Sequence, residues 1–224
     1  PDKQRDIAMP FNSYLTRRQC LAAIALAGTL PYAAALAAST KAMRGALMIL
    51  TTPYTSSGEV DYEDLAKEVA FCDQCGVQGL VWPQNSSEQR YLSKEERIRG
   101  FEVLAEANRG RNMVLVLGVQ ADDTEGMLEY AKVAESLAPD GMIAIPPTTA
   151  KSLDEIHAYY AALCEVTARP IFVQTSGGPD IELTIDFLVK LARDLPQCGY
   201  IKEEYGRVHE RMLALQEFQP DPIK

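Results

Sequence analysis

The chain has 224 residues, of which 47% are hydrophobic and 24% are charged, and 31 acidic residues outnumber 22 basic ones to give a net charge of -9. This composition is typical of a globular protein with a buried core, and it excludes a disordered chain, a collagen-like repeat and a polytopic membrane protein. The excess of acidic groups also argues against nucleic acid or an anionic lipid surface as a partner.

The N-terminal residues 1–40 have the pattern of an export signal. Arg17 and Arg18 stand just before a moderately apolar, alanine-rich run that contains Ala35-Leu36-Ala37 near its end, the A-x-A pattern of a cleavage site. Paired arginines before such a run resemble a twin-arginine signal. A short membrane anchor is the alternative, but Pro31 disfavours a stable span. We therefore expect a cleaved leader and an exported protein, periplasmic or extracellular, without a membrane anchor; if the signal is not used, the protein is cytoplasmic.

Short apolar runs alternate with amphipathic stretches through the rest of the chain. The apolar runs begin near residues 46, 79, 113, 141, 170 and 199, so they recur every 28 to 34 residues. The periodicity between and after them predicts helices over 61–75, 93–107, 123–137, 152–166, 182–193 and about 207–217. Helix N-caps are expected at Asp61, Ser93, Asp123 and Ser152. Strands that alternate with helices at this period predict βαβ units around a parallel sheet.

A closed barrel is the favoured arrangement of these units. No glycine-rich dinucleotide-binding motif follows the first strand, which argues against an open, doubly wound sheet. A complete (β/α)8 TIM barrel has eight units, whereas only six fit before the last residue. Because an open six-stranded barrel would leave two parallel edges unpaired, we interpret residues 44–224 as a C-terminally truncated TIM barrel of the α/β class.

The cysteines and histidines indicate no metal site. Cys72 and Cys75 have C-x-x-C spacing, but they lie in a predicted helix, where residues three apart simply share a face. The sequence has no second pair with this spacing, and its histidines are His157 and His209. We therefore predict that the cysteines are structural.

Lys202 is the leading candidate for a catalytic residue. In a barrel, functional side chains come from the C-terminal ends of the strands and from the loops that follow them. Lys202 closes the sixth strand, so its amine is expected at the mouth of the barrel. Apolar surroundings lower the pKa of an amine and make it a competent nucleophile towards a carbonyl carbon. The alternative is a solvated lysine, or a structural ion pair with Glu203 or Glu204.

From Arg44 to about Glu204 the chain resembles the dihydrodipicolinate synthase/N-acetylneuraminate lyase family of class I aldolases. The matching segments are RGALMILTTPYTSSGEVDYEDLAKEV, GVQGLVWPQNSSEQRYLSKEER, YAKVAESLAPDGMIAIPP, RPIFVQTSGG and GYIKEE. The resemblance implies a (β/α)8 barrel that forms a homo-oligomer, a dimer or a tetramer. It also implies that Lys202 forms an imine with pyruvate or another small-molecule 2-oxo acid. No metal or organic cofactor is expected, because the protonated imine itself accepts the electrons.

The resemblance also provides candidate substrate-binding residues. Asn85 and Ser86 align with a threonine pair that binds the carboxylate of the 2-oxo acid. Gln174 takes the place of a tyrosine that relays protons to the imine, and a second relay tyrosine, donated across a dimer, aligns with Thr148 or the residue before it. A neutral amide does not titrate near neutral pH, so Gln174 is not expected to act as an acid or base. Thr52, at the end of the first strand, completes the set.

Two functions are compatible with these residues. The first is a Schiff-base-forming carbon–carbon or carbon–oxygen lyase in which Lys202 is the nucleophile and Glu203, Tyr54 or bound water moves the protons. The second is a catalytically degenerate barrel that binds a small carboxylate or a sugar acid. A weaker third hypothesis treats Gly177 and Gly178 as a nest for an anion. Lysine biosynthesis is disfavoured, because the arginine that follows the fifth strand in the enzymes of that pathway is missing from SGGPD.

Overall fold

The computed structural model describes residues 41–224, so the predicted leader at 1–40 lies outside the described residues. The strands are β1 (Leu47–Ile49), β2 (Gly79–Trp82), β3 (Val114–Gly118), β4 (Gly141–Ala144), β5 (Ile171–Gln174) and β6 (Tyr200–Lys202). The helices are α1 (Tyr62–Gln74), α2 (Lys94–Ala107), α3 (Thr124–Ser136), α4 (Leu153–Val166), α5 (Ile185–Asp194) and α6 (Val208–Gln216). Short 3-10 turns lie at Asn85–Ser87 and Pro196–Cys198. None of these described helices is both long and apolar enough to cross a membrane.

The six strands form one parallel sheet in the order β1-β2-β3-β4-β5-β6. Each strand pairs with the next one along the chain, from Leu47 opposite Gly79 in the first pair to Gln174 opposite Lys202 in the last. Sequential parallel strands joined by helices are the construction of a TIM barrel. The predicted α/β class and the six βα units of a TIM-type barrel are therefore confirmed.

Polar side chains define the starts of the helices. At each predicted N-cap the side chain accepts a hydrogen bond from a backbone N–H three residues later, which satisfies one of the free donors of the first turn. These residues are Asp61, Ser93, Asp123 and Ser152. The predicted start at residue 182 is wrong, because Thr184 caps α5 in the same way and the helix begins at Ile185.

Apolar side chains occupy two layers, one on each face of the sheet. Successive residues of a strand point to opposite faces, so every second side chain belongs to the same layer. The larger cluster combines strand and helix residues and fills the space between the sheet and the helices. The smaller cluster contains strand residues alone, Val81, Val114, Val116 and Ile143, and it marks the inner face of the curved sheet.

Candidate active site at the mouth of the barrel

Lys202 ends β6 and places its amine at the mouth of the barrel. On the inner face of the sheet the rings of Phe172 and Tyr200 stack with their centroids 4.9 Å apart. Two residues further along each strand the side chain faces the same way, so Gln174 and Lys202 lie side by side beyond these rings. The Lys202 side chain is 22% exposed, and its Nζ lies 2.5 Å from Oε2 of Glu204. A partly exposed amine therefore lies at the mouth beside a carboxylate.

Glu203 faces away from the amine and anchors the segment that follows β6. The hydroxyl of Thr175 donates to Glu203 Oε1 over 2.7 Å, and the backbone N–H of Tyr205 donates to the same oxygen over 2.8 Å. Nε of Arg211 lies 3.0 Å from the other carboxylate oxygen, and the Glu203 side chain is only 3% exposed. Because these contacts are internal, Glu203 is a structural carboxylate rather than the free base that we considered from the sequence.

Gln174 is fully buried next to Lys202. Its Nε2 donates a 3.1 Å hydrogen bond to the backbone carbonyl of Ser176, in the loop after β5. Its Oε1 is buried and has no hydrogen-bond partner among the described residues. The position thus holds a neutral amide with one unused acceptor, which can accept a hydrogen bond but cannot exchange a proton with an imine.

The loop after β2 folds into a compact 3-10 turn that contains the carboxylate-binding candidates. Ser87 is fully buried, and its hydroxyl donates to the carbonyl of Leu50 over 2.5 Å and accepts from the backbone N–H of Gln84 over 3.0 Å. Asn85 and Ser86 at the top of the turn are exposed. The turn is therefore fixed by Ser87 from below, while two polar side chains remain open to solvent.

The hydroxyl of Thr52, three residues after the end of β1, supports this turn. It donates to the carbonyl of Ser87 over 2.6 Å and accepts from Nε1 of Trp82 over 3.1 Å, and Thr52 is buried. Both contacts are internal. Thr52 is thus a structural neighbour of the turn that carries Asn85 and Ser86.

Thr52→Val is expected to lower the free energy of unfolding by about 1–3 kcal/mol, because it leaves the Trp82 N–H and the Ser87 carbonyl buried without their partner. Urea unfolding followed by circular dichroism measures the change. The matched control is Thr51→Val, since Thr51 is exposed and makes only a 3.4 Å contact with Glu68. The control should change stability by less than about 0.5 kcal/mol. Equal effects from both variants would contradict the assigned role of Thr52.

The loop after β5 closes against the loop after β2. Gly177 has a φ of 88°, and a Cβ at this position would lie 2.5 Å from Nδ2 of Asn85. Nη2 of Arg90 donates to the carbonyl of Gly177 over 2.9 Å. The left-handed backbone and the close approach of Asn85 explain why a glycine occupies position 177. This packing accounts for Gly177 without the anion that the nest hypothesis invokes.

A cavity of about 380 Å³ opens beside these loops and contains Thr148 in its wall. Arg90, Arg97, Gln120 and Asp122 also line it, so its polar groups include two guanidinium groups and one carboxylate. Thr148 itself is exposed, in the loop after β4. The charge balance of the wall favours an anionic occupant.

Arg97 is the buried cation of this cavity. Its Nη2 donates to the carbonyl of Gly118 over 2.9 Å, and its guanidinium lies 3.8 Å from the ring centroid of Tyr130. Arg97 is 4% exposed, and its Nε is buried without a hydrogen-bond partner among the described residues. Burial lowers the pKa of the Arg97 guanidinium, and the nearby Tyr130 acts in the opposite direction. The sequence analysis did not single out Arg97. The signal for it was an arginine four residues before Phe101, on a helix face that is otherwise apolar.

Tyr54 is a phenol near the mouth. Tyr54 is exposed, but its partial burial, followed by the hydrogen bond with the carboxylate of Glu88, raises the pKa of the phenol above its ordinary value. Glu88 adopts a left-handed backbone conformation at the end of the 3-10 turn, with a φ of 58°. The side chain of Tyr54 is therefore coupled to the loop that carries Asn85, and its phenol stays protonated at neutral pH.

The structure brings together only some of the candidate residues. Lys202 and Gln174 are neighbours on the inner face. Asn85 contacts the loop after β5, and Thr148 lines the separate cavity that this loop also borders. Thr52 lies beneath the turn. Within residues 41–224, no cluster of three or more histidine, cysteine or acidic side chains is arranged to hold a metal ion.

The sequence profile of the Dihydrodipicolinate synthetase family matches residues 42–222. Among curated relatives, 4-hydroxy-tetrahydrodipicolinate synthase 2 of Halalkalibacterium halodurans is 28% identical over 177 residues, which cover 78% of this chain and 60% of the relative. The 4-hydroxy-tetrahydrodipicolinate synthase of Rhizobium meliloti is 26% identical over 167 residues, which cover 74% of this chain and 56% of the relative.

Solved structures of the same family share the fold. The crystal structure of dihydrodipicolinate synthase from Agrobacterium tumefaciens matches with a TM-score of 0.65 at 28% identity, over 71% of this chain and 54% of that one. N-acetylneuraminate lyase from Mycoplasma synoviae matches with a TM-score of 0.69 at 23% identity, over 80% and 60% of the two chains. The chain thus spans less than two thirds of the length of these relatives. Since the family profile matches nearly all of the barrel, the chain belongs to the dihydrodipicolinate synthetase family.

Proposed function

We propose that this chain belongs to a Schiff-base-forming lyase of the aldolase type, in which Lys202 forms an imine with pyruvate or a related 2-oxo acid. The observation that carries the proposal is the position of Lys202, at the C-terminal end of β6 on the inner face of the sheet, with its amine partly exposed. The names of the relatives, 4-hydroxy-tetrahydrodipicolinate synthase and N-acetylneuraminate lyase, support lyase chemistry.

The reaction begins with attack of the Lys202 amine on the ketone carbon of the 2-oxo acid. The ketone oxygen leaves as water, and the resulting protonated imine withdraws electrons from the neighbouring carbon. The amine must lose a proton before it attacks, and Glu204, with Oε2 2.5 Å from Nζ, is placed to accept that proton. The phenol of Tyr54 is the remaining candidate for later proton transfers.

An anionic substrate agrees with the polar groups around the mouth. Asn85 and Ser86 are exposed on the turn after β2, where their side chains and backbone N–H groups can bind a carboxylate. The separate cavity beside the turn, which Lys202 does not line, adds the positive charges of Arg90 and Arg97 at this end of the barrel. These features support a 2-oxo acid or a sugar acid over a neutral carbonyl compound.

A barrel that binds a small carboxylate without turnover is the second candidate function. Gln174 favours it, because a buried neutral amide stands next to Lys202 where the family resemblance places a proton-relay phenol. Under this function the carboxylate would bind, and an imine could form, but the proton transfers that complete the reaction would be slow.

We also propose that the protein assembles as a homo-oligomer, a dimer or a tetramer, and that the twin-arginine-like leader exports it. The family resemblance, which implies a dimer or a tetramer, supports the first proposal. The arginine pair at 17–18 supports the second. Light scattering of the purified protein measures the assembly. Sequencing of the N-terminus from separated cell fractions shows whether cleavage near residue 37 accompanies export.

Reductive trapping with sodium borohydride tests the imine. The protein is incubated with pyruvate or one of several other 2-oxo acids, reduced, and analysed by intact-mass and peptide mass spectrometry. We expect one adduct, on Lys202. Because trypsin does not cut after a modified lysine, the adduct should appear on the peptide 194–207, whereas unmodified protein gives the peptide 194–202.

The outcomes separate the two functions. An adduct together with cleavage or condensation of a 2-oxo acid compound would support the lyase. An adduct, or saturable binding, without any turnover would support the binding barrel. A folded protein that gives no adduct with any acid of the panel would exclude Schiff-base chemistry at Lys202.

A further inference from the structure

Two thiols outside the mouth lie within reach of each other. Cys164 belongs to α4, and Cys198 ends the 3-10 turn that precedes β6. Their Sγ atoms are 3.8 Å apart, and both cysteines are free thiols in the structure. Cys198 is fully buried, whereas Cys164 is only half-buried. The sequence alone gave no reason to pair them, since 34 residues separate them along the chain.

We propose that Cys164 and Cys198 form a reversible disulfide bond that ties α4 to the 3-10 turn directly before the strand that carries Lys202. A disulfide bond is about 2.05 Å long, so the two sulfurs must approach by about 1.8 Å from their separation of 3.8 Å. The half-buried Cys164 side chain would have to rotate towards Cys198 to close this distance. The site is separate from the mouth and does not depend on the imine chemistry.

The two thiols have different roles in the oxidation. The hydrogen bond from Cys198 lowers the pKa of the Cys164 thiol. The same hydrogen bond, and then burial, raises the pKa of Cys198. Cys164 is also the thiol that an external reagent can reach. It is therefore the attacking thiolate, and Cys198 is the thiol that resolves the intermediate.

A small-molecule disulfide such as oxidised glutathione serves as the oxidant. The Cys164 thiolate attacks one of its sulfurs and releases one glutathione thiol, which leaves a mixed disulfide on the protein. Cys198 then loses its proton, attacks Cys164 Sγ and releases the second glutathione. Two protein thiols are oxidised to one disulfide, one glutathione disulfide is reduced to two thiols, and the protons are conserved.

The bond would constrain the part of the chain that positions the reactive lysine. The closed loop contains β5 and α5, and it ends four residues before Lys202. A cross-link between residues far apart in sequence reduces the freedom of the unfolded chain. The turn is already packed closely, since a Cβ on Gly199 would lie 2.7 Å from the carbonyl of Pro222. Oxidation is therefore expected to stabilise the native barrel wall around β6.

The test uses the full chain, equilibrated with either oxidised or reduced glutathione. Remaining thiols are blocked with iodoacetamide, and the protein is digested with trypsin without a reductant. Trypsin does not cut between Arg169 and Pro170, so Cys164 lies in the peptide 152–190 and Cys198 in the peptide 194–202. We expect these two peptides as a linked pair, two hydrogens lighter than their sum. We also expect the unfolding midpoint to rise by roughly 5 °C on oxidation.

Cysteine variants test which thiols form the bond. Cys164→Ser and Cys198→Ala should lose both the linked pair and the rise in midpoint, and Cys75→Ser, at an exposed thiol on α1, should keep both. Cys164 is half-buried, so Cys164→Ser decides the result even where Cys198→Ala does not fold. Alkylation of both thiols after oxidation of the folded protein would overturn the proposal. Linkage to Cys72 or Cys75 instead, or an unchanged midpoint, would also overturn it.

Discussion

Lys202→Arg is expected to abolish reductive trapping of 2-oxo acids, with a loss of adduct on the order of 100-fold or more. The guanidinium keeps the positive charge and can still pair with Glu204, but it stays protonated and cannot attack a carbonyl carbon. A purely structural ion pair would survive this substitution, whereas imine formation would not. The yield of adduct in the intact-mass spectrum, compared with that of the unchanged protein, is the measurement. Lys202→Ala should show the same loss.

Lys190→Arg is the matched control for this prediction. Lys190 is an exposed lysine on α5 that also pairs with a carboxylate, that of Asp194, so the same exchange of side chains is made away from the mouth. Its adduct yield should equal that of the unchanged protein. If Lys202→Arg gave a normal yield as well, the imine would have to form on another lysine.

Trp82→Ala is expected to lower the free energy of unfolding by about 3–5 kcal/mol, the largest effect on stability that we predict. Trp82 is completely buried in the layer between the sheet and the helices, where its ring meets that of Phe101 edge-on at a centroid distance of 6.1 Å. A Cβ on Gly100 would lie only 2.2 Å from the indole, so the helix is shaped around it. Alanine would leave a cavity and would release the bond to Thr52.

Urea unfolding followed by circular dichroism measures this loss. Phe71→Ala is the control, because Phe71 is 66% exposed on α1 and its removal should cost less than about 0.5 kcal/mol. Trp82→Phe should fall between the two, since it keeps a ring in the core but loses the indole donor. A loss of less than 1 kcal/mol for Trp82→Ala would be incompatible with a central place in the core.

Much of the fold follows from the pattern of apolar residues, because the strands of a buried parallel sheet are apolar on both faces. The run GMIA at residues 141–144 is buried at every position, and it forms β4 as predicted. Polar N-caps marked four of the helix starts correctly. The apolar pattern predicts the start of α5 too early, because Leu183 continues that pattern although Thr184 caps the helix and leaves Leu183 outside it.

The site could be predicted less completely, because its contacts depend on which way each side chain faces. Lys202 follows from the end of an apolar strand. The carboxylate that pairs with Lys202 could not be predicted in this way, because Glu203 and Glu204 are adjacent acidic residues. Only the structure shows that Glu203 binds Arg211 and that Glu204 binds the amine of Lys202. The burial of Arg97 depends on contacts with residues distant in sequence, such as Gly118, which helical periodicity alone does not reveal.

The enclosure of Gln174 has a consequence for enzyme engineering. A phenol introduced at this position needs more space than the amide, yet the side chain has no exposed surface and its Nε2 is bonded to Ser176. The loop cannot simply retreat, because a Cβ on Gly178 would already lie 2.8 Å from the carbonyl of Pro146. Gln174→Tyr alone is therefore expected to destabilise the protein. Tyrosine at this position requires compensating changes, selected together, in the loops that follow β4 and β5.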